Sequence, residues 1–173
     1  MSEQCDQSED TEISIYCSDG ETVSIPNSSL VLLCRDVLAK GHSFRFCAPG
    51  FSMTPFIRNR DIITLISSTK DSCMIGKVVG FLRPGTNQFV VHRIVAVKKD
   101  GFLIRGDNCS EEDGLIPYDA ILGEVSRVEH NGRVFPVGLG TERVIIALLS
   151  RFGLLQYLFF PVGCFICIIR KVL

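Results

Sequence analysis

Hydrophobic and polar positions follow three rhythms along the chain. Ile13-Ser14-Ile15-Tyr16 and Thr22-Val23-Ser24-Ile25 alternate, and Ser18-Asp19-Gly20-Glu21 between them can turn a hairpin. The polar residues before them read as a solvated tail. A helical spacing follows: Leu30, Leu33, Val37 and Leu38 share a face, Asn27 or Ser28 can cap the start, and Gly41 can stop the end. From Ser43 to Gly138 the signals are for strands, over Ile62–Ile66, Lys77–Leu82, Phe89–Val97, Phe102–Arg105, Glu124–Val128 and Arg133–Val137. Gly, Pro, Asn and Asp separate these runs at the short intervals expected of an all-β sheet or barrel. Strand and helix patterns do not alternate here, which argues against a doubly wound parallel fold.

The third rhythm is unbroken apolarity. After Gly138-Leu139-Gly140, Val144–Leu149 is apolar, Arg151 interrupts, and Phe152–Ile169 carries Gln156 as its only strongly polar side chain. As a helix that last run would reach about 27 Å, close to the ~30 Å of a bilayer's hydrocarbon. Arg151 and Arg170-Lys171 can snorkel to the two interfaces. The pattern therefore predicts membrane association through residues 144–169, either as an embedded or spanning helix or as a hairpin of two short helices in one leaflet or on a partner. Basic residues flank both ends, so the side of the membrane is not legible. The expected organisation is a polar tail and possible hairpin over 1–24, a β-rich domain over 25–138, and a hydrophobic helical segment over 139–173.

Composition adds limits. The 173 residues amount to about one domain, and 46% hydrophobic against 21% charged residues imply a packed core. A net charge of −1 gives no electrostatic footprint for nucleic acid. Glu3, Asp6, Glu9, Asp10, Glu12, Asp19 and Glu21 all precede the first basic residue, Arg35, whereas from Arg143 onward every charge is basic. Such an acidic start predicts neither a cleavable signal peptide nor an N-terminal anchor. The eight cysteines do not have the spacing of a secreted disulfide framework. Cys164 and Cys167 form a CxxC in apolar surroundings without a second ligand pair, so no metal is expected there.

Three stretches carry candidate chemistry. In Ala48-Pro49-Gly50-Phe51-Ser52-Met53-Thr54-Pro55, glycine and proline can set Ser52 on a sharp turn with its hydroxyl and N–H exposed, the parts of a nucleophile with an oxyanion donor. A plain turn serine has the same neighbours. In Phe89-Val90-Val91-His92-Arg93-Ile94-Val95, alternation puts His92 on the strand face of Val90 and Ile94. An imidazole of ordinary pKa, about 6.5, can take a serine proton near neutral pH. His42 and His130 sit in apparent turns, without a comparable setting. Finally, Arg105-Gly106-Asp107-Asn108-Cys109-Ser110-Glu111-Glu112-Asp113-Gly114 reads as a polar turn whose carboxylates could orient an imidazole.

Taken in order, Gly50-Phe51-Ser52-Met53-Thr54-Pro55, Asp61, His92-Arg93-Ile94-Val95 and Ile104-Arg105-Gly106-Asp107-Asn108 resemble the signal peptidase I superfamily of serine endopeptidases, over roughly Gly50 to Val128. The likeness is closer to the archaeal and endoplasmic-reticulum branch, which has histidine where the bacterial branch has lysine. That exchange matters, because a lysine must be buried to lose its proton near pH 7 and a histidine need not be. The resemblance implies a signal-peptidase-like β-barrel or sheet, with Ser52 as nucleophile and His92 as general base. In the reticulum type the second of two acidic residues after Gly-Asp-Asn completes the constellation, which implies Asp113. Asp61, Arg93, Gly106, Asp107 and Asn108 are implied as structural members of the motif. Gly50, Phe51, Met53 and Pro55 fall on the substrate and oxyanion side, and Gly123 matches the glycine of the last shared strand.

The chain also differs from that family. Arg60-Asp61 replaces the usual Gly-Asp, and Gly50 stands where many members have serine, leaving backbone donors such as the Ser52 N–H for an oxyanion. Typical members have an N-terminal membrane segment, whereas the hydrophobic region here is C-terminal. The function implied is acyl-enzyme cleavage of extended peptide segments, such as signal or leader peptides, bound as an added strand. No cofactor is implied, and the partners are a peptide substrate and a membrane. Two other readings remain. A LexA-like regulatory autoprotease would need lysine at the base position, a DNA-binding helix pair and an Ala-Gly or Cys-Gly bond, and the sequence has none of these. A membrane-associated peptide-binding pseudopeptidase would keep the sheet without the activity.

Overall fold

The computed structural model describes residues 13–16, 22–86 and 88–155. In chain order the elements are β1 (Ile13–Tyr16), β2 (Thr22–Ile25), α1 (Asn27–Ala39), β3 (Phe44–Ala48), β4 (Asp61–Ile66), β5 (Val78–Leu82), β6 (Phe89–Lys98) and β7 (Gly101–Arg105). They continue with β8 (Glu112–Ile116), a 3-10 turn at Tyr118–Ala120, β9 (Ile121–His130), β10 (Arg133–Val134) and α2 (Arg143–Arg151). The protein is mainly β. All strands join one antiparallel sheet in the order β2-β1-β3-β4-β9-β5-β6-β7-β8, with β10 on β9. Among the described residues this path ends at β2 and β8 without closing.

Strands β5 to β8 pair in chain order, but β9 returns to lie between β4 and β5. Close approach there needs small residues. Gly80 faces Gly123 across the β5–β9 pair, and a Cβ on Gly123 would lie 2.5 Å from the Ile66 carbonyl oxygen. The buried side chains form two main clusters. One joins α1, through Leu30, Cys34 and Leu38, to Phe46, Ile63, Leu65, Val78 and Val125. The other gathers Val79, Phe81, Ile94, Phe102, Ile104 and Ile116. Val78 and Val79 thus point to opposite clusters, which explains why β5 is apolar without alternation.

Several sequence expectations shift. The first residue of α1 is Asn27, so Pro26 takes the cap position, without a side-chain cap bond. Leu33, expected on the buried face, is 39% exposed, and Cys34 is buried instead, completing an i, i+4, i+8 stripe with Leu30 and Leu38. The Gly41 stop has the expected geometry: φ is +78°, and the N–H groups of Gly41 and His42 bond back to Leu38 and Val37. The strand expected over Arg133–Val137 ends at Val134, ahead of Pro136. Glu112–Ile116, read as part of a turn, is a strand. The Cys34 thiol is pushed up to about 12 by burial, only partly opposed by Arg35, which marks it as an inert packing group.

Helix α2 docks through Ile146, which clusters with Leu155 and Phe56. Among the described residues no helix is long and apolar enough to cross a membrane. Most of the apolar run over 152–169, the Cys164/Cys167 pair and the first dozen residues lie outside the described residues.

Candidate active site

Four segments meet around Gly106. His92 lies in the middle of β6, opposite Val79 of β5, with its ring 6.3 Å from that of Phe81. Its neighbour Arg93 points to the other side and is fully buried. At the end of β7 the chain turns through Gly106-Asp107-Asn108. There the Asn108 N–H donates to the Ser52 carbonyl at 2.7 Å, and Asn108 Nδ2 donates to the Phe51 carbonyl at 3.3 Å. The turn therefore clasps the main chain of the serine loop.

Gly106 has no side chain because there is no room for one. A Cβ there would lie 2.6 Å from Cys109 Sγ, 2.8 Å from the Ser52 carbonyl oxygen and 2.9 Å from His92 Nε2. The Ser52 main chain and the ring tip of His92 thus flank the same glycine. On the other side of the ring, His92 Nδ1 meets Asp113 Oδ2 at 2.5 Å, and both side chains are about 95% buried. Among the described residues, no hydrogen bond closes between Ser52 Oγ and His92 Nε2. Catalytic hydrogen bonds commonly tighten only once substrate is bound.

The serine loop is held at several points. Gly50 has φ +94°, and its N–H donates to Asn59 Oδ1 at 2.9 Å. Phe51 is 63% exposed, whereas Met53 is only 4% exposed and belongs to the α1 cluster. Met53, expected on the substrate side, is therefore an anchor of the loop. Pro55 follows a cis peptide bond and is half-buried. Among the described residues, the Ser52 N–H has no intramolecular acceptor and is free to meet a developing oxyanion.

Asp107 faces Arg93. The guanidinium donates from Nε to Oδ1 at 2.8 Å and to Oδ2 at 3.2 Å, and from Nη2 to Oδ2 at 2.7 Å. Nη1 donates to the Gly76 and Gly138 carbonyls at 2.8 and 2.7 Å. With both oxygens so engaged, Asp107 does not orient His92. Asp61, implied as structural, accepts from the Arg58 N–H at 2.8 Å.

Burial pushes the Asp113 carboxyl up. The hydrogen bonds and charges of His92 and Arg83 outweigh that effect and hold it below its ordinary value. Ionised, Asp113 can accept from His92 Nδ1–H, leaving Nε2 as the proton acceptor.

Three features of the site carry no local signal in the sequence. Arg83 Nη2 bonds Asp113 Oδ1 at 2.7 Å, across strands and with no local mark in the sequence. Cys109 Sγ lies close to Gly106. His130, read as a turn residue without a comparable setting, has a carboxylate partner: its Nδ1 meets Asp61 Oδ1 at 2.6 Å. Among the described residues no three His, Cys, Asp or Glu side chains converge as a metal site. Comparison of the chain with protein-family models and with curated proteins returned no match.

Proposed function

We propose that the protein is a signal-peptidase-like serine endopeptidase that cuts extended peptide segments, such as signal or leader peptides. The observation that carries this reading is the buried His92–Asp113 pair, whose free ring nitrogen lies at the glycine that also touches the Ser52 main chain. Ser52 Oγ attacks the scissile carbonyl as His92 Nε2 takes its proton, and the Ser52 N–H receives the oxyanion. Collapse of the tetrahedral intermediate returns the proton to the leaving amine and leaves an acyl-enzyme. Water, deprotonated by the same nitrogen, then hydrolyses the ester. Asp113 fixes the tautomer and stabilises the imidazolium.

Membrane association forms part of the proposal. Ile145, Leu148, Phe152 and Leu154 of α2 and the following turn are exposed apolar side chains, and the chain continues into an apolar run. A specific observation favours a second reading, a peptide-binding pseudopeptidase: the open link between Ser52 and His92.

The test is turnover of peptides with small side chains before the cut, using the full chain in detergent or vesicles. Ser52→Ala and His92→Ala should each lower kcat by about three orders of magnitude or more. Retained turnover in purified Ser52→Ala would end the serine mechanism. Peptide binding by the wild type without turnover, and without labelling by a serine-directed acylating probe, would favour the pseudopeptidase.

A further inference from the structure

Asp113 sits where the backbone holds it poorly. Among the described residues, strand β8 is the last in the sheet and pairs only with β7. Its register matches Phe102 to Ile116, Leu103 to Leu115 and Arg105 to Glu112, with a shift between Leu103 and Arg105. Asp113 falls in that irregularity, without a cross-strand partner, and the next residue, Gly114, has φ +87°. A bulged edge strand is the part of a sheet that opens most readily. An acid that must meet an imidazole nitrogen within hydrogen-bond distance needs another constraint.

Arg83 supplies one. It follows β5, and its N–H closes the β5–β6 hairpin on the Gln88 carbonyl at 2.9 Å. Its side chain donates from Nη1 to Gln88 Oε1 at 3.3 Å and from Nη2 to Asp113 Oδ1 at 2.7 Å. The two carboxylate oxygens are thus divided, one to Arg83 and the other to His92. This fixes the rotation of the carboxyl group. A guanidinium suits the task because its planar fork reaches two partners at once, which an ammonium on a flexible stem does not reproduce.

We propose that Arg83 is a positioning residue that locks the bulged Asp113 onto His92 Nδ1 and thereby sets the base for the reaction. The inference rests on the serine-peptidase reading. Among the described residues, the Arg83 side chain bonds Gln88 and Asp113 and makes no hydrogen bond to Ser52. It acts through Asp113, and its charge keeps the carboxylate from being uncompensated when His92 is neutral. Without that charge, the same carboxylate favours the imidazolium more strongly.

The experiment compares Arg83→Met, Arg83→Gln and Arg83→Lys in the full chain by two measurements. In the peptide assay, Arg83→Met and Arg83→Gln should lower kcat about tenfold to hundredfold, within the range for impaired general-base catalysis. KM should change little, the acid limb of the pH–rate profile should move to higher pH, and Arg83→Lys should recover part of the rate. In the second measurement, proton NMR follows the low-field Nδ1–H signal of His92, assigned by its loss in His92→Ala. That signal should broaden by exchange with water in Arg83→Met and sharpen again in Arg83→Lys.

Wild-type kcat, acid limb and imidazole signal in Arg83→Met would overturn the proposal, as would a loss of kcat with the other two unmoved, which is what a merely structural role gives. If Arg83→Met does not fold, Arg83→Gln and Arg83→Lys decide the matter on the same readouts. The two levels fail separately. Turnover retained in Ser52→Ala removes the serine mechanism while the NMR measurement still decides on Arg83. A dead Ser52→Ala beside an unaltered Arg83→Met removes only the positioning role.

Discussion

Replacing Asp107 by asparagine separates a structural acid from the acid proposed for catalysis, Asp113. Arg93 and Asp107 are both completely buried at the side chain, with the guanidinium carbon 5.5 Å from the centre of the Phe56 ring. Asp107→Asn leaves a buried guanidinium facing an amide, one end of which is itself a donor. Breaking a buried pair from one side costs about 3–5 kcal/mol. For a chain of this size, with about 2–4 °C per kcal/mol, Tm should fall by roughly 6–20 °C. Removing the pair whole, as Arg93→Met with Asp107→Leu, should restore at most part of that loss. Recovery stays incomplete, because the Gly76 and Gly138 carbonyls lose their donor at about 1–3 kcal/mol for each group left buried and unsatisfied. The assay is thermal and urea unfolding by circular dichroism, with turnover measured at a temperature where the variant is still folded. Asp113→Asn is the contrast: its main effect should be on kcat, through the wrong imidazole tautomer. A Tm for Asp107→Asn within about 2 °C of wild type would refute the structural role, since that is no more than the shift expected for about 1 kcal/mol. Lost turnover in a fully folded Asp107→Asn would give Asp107 a part in the chemistry.

Two further outcomes follow from the geometry. The Asp113 carboxyl is held below its ordinary value, so its ion pairs stabilise the fold above the unfolded value of about 3.9 and are lost as pH falls through the folded value. The stability difference between wild type and Asp113→Asn, measured by urea unfolding, should therefore shrink as pH is lowered below about 4; a difference that grows there would contradict the assignment. Arg60 is exposed and adopts φ +70°, a conformation that costs a non-glycine residue roughly 1–2 kcal/mol, against the ~0.4–1 kcal/mol of added unfolded-state entropy that glycine brings. Arg60→Gly should accordingly leave stability unchanged or raise it by up to about 1.6 kcal/mol, and a clear loss in the same unfolding assay would mean that the Arg60 side chain contributes more than its backbone strain removes.

Legibility in the sequence followed burial only in part, because β3 (Phe44–Ala48), whose positions alternate between buried and open, is not among the runs that the strand signals mark. Strands β4, β5, β6 and β7 stood out because their residues are mostly buried. Strand β8 did not, because in Glu112–Ile116 only Ile116 is buried, so an edge position leaves no alternation to see. The helix α1 is visible in the sequence, but its buried face takes Cys34 in place of Leu33. Leu33 and Cys34 both fit an apolar stripe, and the choice between them depends on which strands lie beneath. The Arg60-Asp61 exchange left the turn geometry open, and the structure has an arginine in the left-handed conformation that a glycine would adopt freely. The cost falls on one exposed residue, whose N–H still bonds the Ala48 carbonyl at 2.8 Å.

For the candidate site, the dividing line is the topology of the sheet. His92, Gly106 and Asp113 lie on or beside three strands that pair in chain order, so residues near in sequence are near in space, and a motif read along the chain has spatial meaning. Arg83 lies just before the first of these strands, yet its bond to Asp113 reaches over β6 and β7 and depends on a bulge that no local pattern announces. The pairing of His130 with Asp61 is more remote still, because it exists only through the return of β9 to lie beside β4. The same return brings β9 against β5 at the Gly80–Gly123 pair. A sequence pattern can therefore propose the nucleophile, the base and the acid of such a site. What holds the acid in place is decided by strand order and register, and those are fixed by packing between segments that are distant in the chain.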